Sequence, residues 1–529
     1  MDATGALALP LAAATAVKGV GGIAAAVAVA GTFLLPEPRR RALAAVLALV
    51  LAPVMVVTEL WDTSQLRTLR DNPTRAGVAA AAAAIAVVAL AALLRRRPGL
   101  LPVLAVLALP VRIPLDTGGS SANLLVPLYW VVAAGVLAFA LDRLRGGGSW
   151  TERKPTTPEL ALIGFVVLYA VQSLYSTDFE QALKNLAFFY VPFALLLRLL
   201  TAVPWSPRVV KRCFAAAIVM AVVFVAIGFF EYATKNLLWN SRVIESNQFE
   251  SYFRVNSLFF DPNIYGRFLA IVMVGLAAAL LWARSGRAVA VSGALLALLW
   301  AGLLLTFSQS SFAALLVGLA ALAALRWSFR RVAAGLGLCA AAAVVAALAL
   351  GIGSHSVDKS SGNRFDLIKG GLSMVADRPL WGYGSGSFAE RFRAREGASS
   401  RRAASASHTI PITVAGEQGV LGLAAYLAVV VVSLRLLFSG LGPLTGRDPP
   451  ARLVTRAFLA AAFAALVFHT LLYAAFLEDP IAWTLLAIGI VLLRPTSSGT
   501  GSDPGGASDA SGGAAPSGGA APSAGGAAP

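Results

Sequence analysis

Charge is scarce in this chain of 529 residues: 13% are Asp, Glu, Lys or Arg, against 58% hydrophobic. A water-soluble protein of this length needs far more charge to cover its surface. Cysteine is nearly absent. Cys213 and Cys339 both lie in or beside apolar blocks, which excludes a disulfide framework or a thiolate metal site. No carboxylate cluster shows metal-ligand spacing, so no obligate divalent metal is expected. The first apolar segment lacks a basic n-region, so a cleavable signal peptide is not expected. Histidine is limited to His355, His408 and His469, which leaves few groups for acid–base work near neutral pH.

What is present is apolar sequence in long blocks. Many run for about 18 residues without charge, enough to cross a hydrocarbon core roughly 30 Å thick. Backbone groups in lipid must bond internally, so blocks of this length are helices. Spans are expected near Ala12–Leu35, Ala42–Thr58, Ala76–Leu94, Leu100–Pro114, Asn123–Leu141, Leu160–Tyr175, Leu183–Leu200 and Cys213–Phe230. Further spans are expected near Ile264–Trp282, Ala288–Phe307, Ser311–Leu325, Val332–Leu350, Val420–Phe438, Ala457–Phe476 and Ile481–Leu493. The expected fold is an all-α polytopic transmembrane helix bundle of about 14–15 spans, with a large extracytoplasmic loop containing short helices.

The net charge of +17 has a membrane explanation, and nucleic acid is not an expected partner. Lys and Arg collect in cytoplasmic loops. Arg143 to Lys154, Arg208 to Arg212, Arg284 with Arg287, Arg326 to Arg331, and Arg435 to Arg456 fall at every second connection. These are expected inside, and the C-terminus follows Arg494 on the same side. Arg39–Arg41 and Arg95–Arg97 ask for the same side. Two outside loops, about 231–263 and 351–417, are too long to be mere connectors. The tail after Pro495 is nearly all Gly, Ala, Ser and Pro and cannot bury a core.

The chemistry is expected in the outside loops. Loop 351–417 is basic, with Arg364, Lys369, Arg391 and Arg393 among its cations. That pattern suits an anionic substrate, or equally a solvated run attracted to headgroups. Phe365, Ile368, Leu372 and Val375 recur at helical spacing, and Pro379 ends that helix. The following Gly382, Gly384 and Gly386 suit a tight turn, or N–H groups presented to phosphate. His408 stands where the loop re-enters the membrane and can serve as a general base, or as a satisfied interfacial histidine. Glu417 is an acid at the mouth of an apolar block, costly unless paired or functional. His469, within a span, reads as a hydrogen bond to a neighbouring helix. Arg254 precedes another re-entry, and Arg267 opens the next block, where snorkelling is the plainer reading. Asp261-Pro262-Asn263 is a helix-start signal.

These residues together resemble the O-antigen ligase and O-antigen polymerase family of membrane glycosyltransferases. The resemblance rests on Arg254 before Asp261-Pro-Asn263, and on the Ser-rich junction Leu305-Thr-Phe-Ser-Gln-Ser-Ser-Phe312. It rests also on Asn363-Arg364 with Pro379-Leu-Trp-Gly-Tyr-Gly384, and on His408 followed by Glu417 and Gly419. It covers about Leu100 to Leu493. Residues 1–98 then form an N-terminal transmembrane extension. Residues 99–494 form the ligase- or polymerase-like core with loop 351–417, and 495–529 form a disordered tail. One departure stands out: many members carry an arginine in the Ser-rich junction, where this chain has Gln309 or Ser310.

The resemblance implies a metal-independent transferase without a cofactor, in the cytoplasmic membrane, with its site on the extracytoplasmic side. The donor would be a glycan on a polyprenyl pyrophosphate, with a glycan or lipid-glycan acceptor and membrane lipids as the other partners. Arg254 and Arg364, with Asn263 and Arg267 beside them, would bind the donor. His408 would be the base, and Glu417 would orient or polarise it. A transporter or flippase of lipid-linked or anionic solutes is the competing class, though no internal repeat favours it.

Overall fold

The computed structural model describes residues 3–60, 71–116, 121–238, 253–335, 337, 368–396, 409–444, 449–473 and 475–493. His355, Arg364, Phe365 and His408 lie outside the described residues, as do most of the expected span Val332–Leu350 and the tail.

The chain is a helix bundle in one compact unit, Met1–Leu493. Its helices are α1 (Ala3–Leu34), α2 (Pro38–Leu60), α3 (Pro73–Arg96) and α4 (Leu100–Ala108). A β-hairpin follows, β1 (Ile113–Asp116) and β2 (Ser121–Leu124), then α5 (Val126–Leu144), α6 (Thr157–Ser173) and α7 (Phe179–Asn185). After a π-turn at Leu186–Tyr190 come α8 (Val191–Ala202), α9 (Pro207–Thr234), α10 (Pro262–Leu281), α11 (Gly286–Leu304) and α12 (Gln309–Arg326). The last are α13 (Phe388–Glu396), α14 (Ile410–Phe438), α15 (Ala451–Leu472) and α16 (Pro480–Leu492). Among the described residues nine helices are long and apolar enough to cross a membrane, with three shorter apolar ones. The chain is a multi-pass α-helical membrane protein.

One expected span is redrawn. Leu100–Pro114 holds a helix of only 9 residues, about 13 Å long at 1.5 Å per residue, too short to cross. Pro110 and Pro114 bracket Arg112, and the chain leaves the helix for the hairpin, Ile113 pairing with Leu124. Another element begins earlier than the apolar run suggests. Helix α14 starts at Ile410 and is broken at Gly419, with φ 66° and ψ −164°, a conformation open to glycine.

The basic connections gather at one end of the bundle. Trp282 Nε1 donates to Leu444 O at 3.3 Å, and Leu444 N to Leu325 O at 2.7 Å. Thr151 N donates to Ala202 O at 2.7 Å, while Arg41 and Arg143 both face Glu152, at 3.8 and 3.4 Å. The N-terminal helices are tied in here: Arg198 Nε of α8 donates to Thr32 O of α1 at 3.1 Å. The other end carries the turns that build the site.

Candidate functional site

Helix α10 starts where the sequence signals it. Asp261 is the N-cap, its Oδ1 accepting from Asn263 N at 2.6 Å, and Pro262 fills the first turn. The incoming segment lies along the end of α11, with Val255 N on Leu305 O at 3.1 Å. That brings Arg254 between the two helices. Its Nε donates to Thr306 O at 3.0 Å and its Nη2 to Asn263 Oδ1 at 3.2 Å. Two directed bonds fix the plane of the guanidinium, and the side chain stays half-buried. Glu231, at the end of α9, supports the segment by accepting from Ser257 N at 2.7 Å and Asn256 N at 3.3 Å.

The Ser-rich junction breaks α11 from α12. Phe307 takes φ 48°, and Ser308 caps α12, accepting from Ser311 N at 3.3 Å. Its serines turn inward. Ser311 Oγ donates to Asn263 O at 3.2 Å. Ser310 and Ser311 lie 3.2 and 3.4 Å from His469 Nε2 of α15. His469 thus makes the interhelical bonds its sequence position suggests. Position 310 is buried on that histidine and Gln309 is exposed, so the polar string leaves no room inside the junction for an arginine at 310.

Arg267 is not at a surface. It is 1% exposed, with Nη2 at 2.5 Å from Asp479 Oδ2 and Nη1 donating to Ala475 O at 3.1 Å. Asp479 also caps α16, Oδ1 accepting from Ile481 N at 2.9 Å. The pair fastens α10 to the α15–α16 turn. Snorkelling, the plainer reading of the sequence, is replaced by a buried ion pair.

A cation that the motifs pass over lies beside it. Arg112, half-buried ahead of β1, sits in the field of Asp479, Arg267 and Tyr473. Burial lowers its pKa, and Asp479 opposes that shift. Tyr473 is hydrogen-bonded to Asp261, and burial and then that carboxylate hold its hydroxyl well above its ordinary pKa, so it stays a donor. Burial likewise raises the Glu478 carboxyl, against Arg112. The sequence signal for this group is an arginine between two prolines, closing a block too short to span.

The outer loop forms a second wall. Residues 368–377 are helical and end before Pro379. Its inward face is Gly370, Gly371 and Met374, not the expected stripe: Leu372 is 55% exposed. Glycines win because a Cβ at Gly370 would stand 2.5 Å from Phe392, whose ring stacks on Phe388. Gly382, Gly384 and Gly386 all take positive φ. Glu417 closes this turn, Oε2 accepting from Gly386 N at 2.9 Å and Oε1 from Phe388 N at 3.1 Å. Its carboxyl oxygens thereby satisfy N–H groups at the N-terminus of α13. Gly384 N donates to Glu417 O at 2.8 Å, and Ser176 Oγ to Ser385 O at 2.7 Å. Glu417 therefore holds the loop on the bundle.

Thr409, the residue after His408, donates from Oγ1 to Leu471 O at 3.2 Å. The described start of α14 thus stands two residues along α15 from Tyr473. Of the residues expected to bind or react, Arg254 and Asn263 bond directly, Arg267 acts on the Tyr473 that bonds their neighbour Asp261, and Glu417, in α14, holds the glycine turn.

No curated protein matches the chain. Residues 294–427, from α11 into α14, match the family model described as O-Antigen ligase.

Proposed function

We propose that the protein transfers a glycan from a polyprenyl-pyrophosphate carrier to an acceptor hydroxyl at the extracytoplasmic face of the cytoplasmic membrane. The observation that carries this reading is Arg254, its guanidinium oriented by Thr306 O and Asn263 Oδ1 at the helix ends that adjoin the family segment. A leaving pyrophosphate gains negative charge as the sugar–phosphate bond breaks. An oriented guanidinium stabilises that charge most when it needs no reorganisation.

Arg254 and Arg364 contact the pyrophosphate, and Arg112 adds charge from the other side. His408 takes the proton of the acceptor hydroxyl. The hydroxyl oxygen forms a bond to the anomeric carbon, and the carbon–oxygen bond to phosphate breaks with its electron pair leaving on the carrier. A direct displacement of this kind inverts the anomeric centre. Glu417 acts as a positioning residue through the Gly386 and Phe388 amides, and Arg267 acts through Asp479. The end of the bundle that carries the basic connections is cytoplasmic under the positive-inside rule.

The test uses His408→Ala and Arg254→Ala in the full chain, with membrane insertion verified. Both are expected to abolish product while a detergent-solubilised wild type forms a new glycosidic bond. Full activity in His408→Ala removes it as the base. A wild type that moves lipid-linked glycan only in sealed vesicles, leaving it unaltered, establishes a transporter instead.

A further inference from the structure

A groove of about 340 Å³ runs beside α10 between α9, α15 and α16, within the size range of small-molecule sites. Phe268, Val272 and Ala279 of α10 and Phe214 of α9 make its walls apolar. Charge enters its lining at the basic end of the bundle. Lys211, near the start of α9, and Arg284, just past α10, both line it and are exposed. Trp205 and Trp282 stand at the same level. Their indole N–H groups donate into the protein, to Leu200 O at 2.8 Å and Leu444 O at 3.3 Å, and their ring carbons line the groove. This is the arrangement of a membrane interface: an apolar slot, a belt of indoles, and cations at headgroup depth.

The cationic mouth is not the donor site. Asn263 and Trp282 lie at opposite ends of the 20-residue helix α10, about 30 Å apart. A lipid held by Arg254 at its phosphate cannot also present that phosphate to Lys211.

We propose that this groove is a binding site for an anionic phospholipid of the leaflet at the basic end. One acyl chain lies along α10 and the phosphate sits between Lys211 and Arg284. Charge complementarity selects the headgroup: each basic residue near an anionic lipid favours it by about fivefold, so the two together give on the order of 20-fold. This site is independent of the glycan-transfer reading.

The test is native mass spectrometry of the full chain in detergent, titrated with phosphatidylglycerol or phosphatidylcholine of the same acyl chains and no glycan donor. The wild type is expected to retain phosphatidylglycerol on the order of 20-fold better. The double variant Lys211→Glu with Arg284→Glu is expected to lose that preference, and Ala217→Trp, which fills the slot, to lose both lipids. Equal retention of the two lipids by the wild type overturns the proposal, and this comparison needs no variant to fold. So does a polyprenyl phosphate that displaces phosphatidylglycerol at equal concentration, which makes the carrier the occupant.

Discussion

Arg254 and Asn263 meet across 3.2 Å, guanidinium Nη2 to amide Oδ1, although one precedes α10 and the other lies within its first turn. The bond joins a segment entering the membrane to the first turn of the helix it becomes. The same guanidinium also caps the end of α11 through Thr306 O, so three chain segments agree on its position.

Lysine cannot replace this arginine. An ammonium group lacks the planar fork that serves two acceptors at once. With charged hydrogen bonds contributing about 1.5–3 kcal/mol each, Arg254→Lys is expected to lower transfer about 10- to 100-fold. Initial rates in membranes matched for protein content give the measurement. A rate within twofold of wild type removes the orientation argument.

Arg112 stands in the field of Asp479 and Arg267, and in the proposed reaction it adds charge without touching the reacting atoms. Arg112→Ala is expected to raise the donor KM by about tenfold, with a smaller effect on kcat, as loss of uniform binding does. Steady-state kinetics with varied donor decides it. A drop in kcat alone assigns Arg112 to the transition state.

The Arg267–Asp479 pair is buried, so removing one partner strands a charge. Arg267→Met alone is expected to cost about 3–5 kcal/mol of stability, and Arg267→Met with Asp479→Asn to recover a good part of it. Thermal unfolding in detergent reports both. Were Arg267 a donor ligand instead, the double variant would melt normally and still be inactive.

Gly419 has no substitute. Its φ is 66°, and a Cβ there would lie 2.3 Å from Leu380 O. Gly419→Ala is expected to detach the glycine turn and open the outer loop. Limited proteolysis at Arg391 and Arg393 would then run faster. Glu417→Gln is milder, since an amide offers one acceptor oxygen to the two N–H groups. It is expected to lower kcat and to speed cleavage of the loop less than Gly419→Ala does.

Glu478 gives the chain a pH signature. Burial raises its folded pKa, with Arg112 opposing, so the folded state favours the protonated acid. Below the unfolded value of about 4.3 both states are protonated and stability is unaffected. As pH rises from there toward the raised value, the unfolded chain ionises first and stability falls. Glu478→Gln is expected to flatten the melting temperature over that window, measured by thermal scans across pH.

Much of this molecule follows from local sequence. Long uncharged blocks must be helices in lipid, Asp261-Pro-Asn263 must start one, and alternate glycines at 382, 384 and 386 must turn. Clustered arginines must share a side. Those results depend on the solvent and on a few neighbouring residues, so the sequence carries them openly. Three other outcomes depend on partners far along the chain. Arg267 reads as an interfacial cation until Asp479, more than two hundred residues later, neutralises it. Glu417 reads as a costly acid, paired or functional, and only the fold supplies the amides of Gly386 and Phe388 on its two oxygens. Arg112 belongs to no motif, and only the early end of α4 delivers it into the field of Asp479. Whether a buried charge is paired, capped or poised for a ligand is set by which groups packing brings within about 3 Å, and no local pattern encodes that.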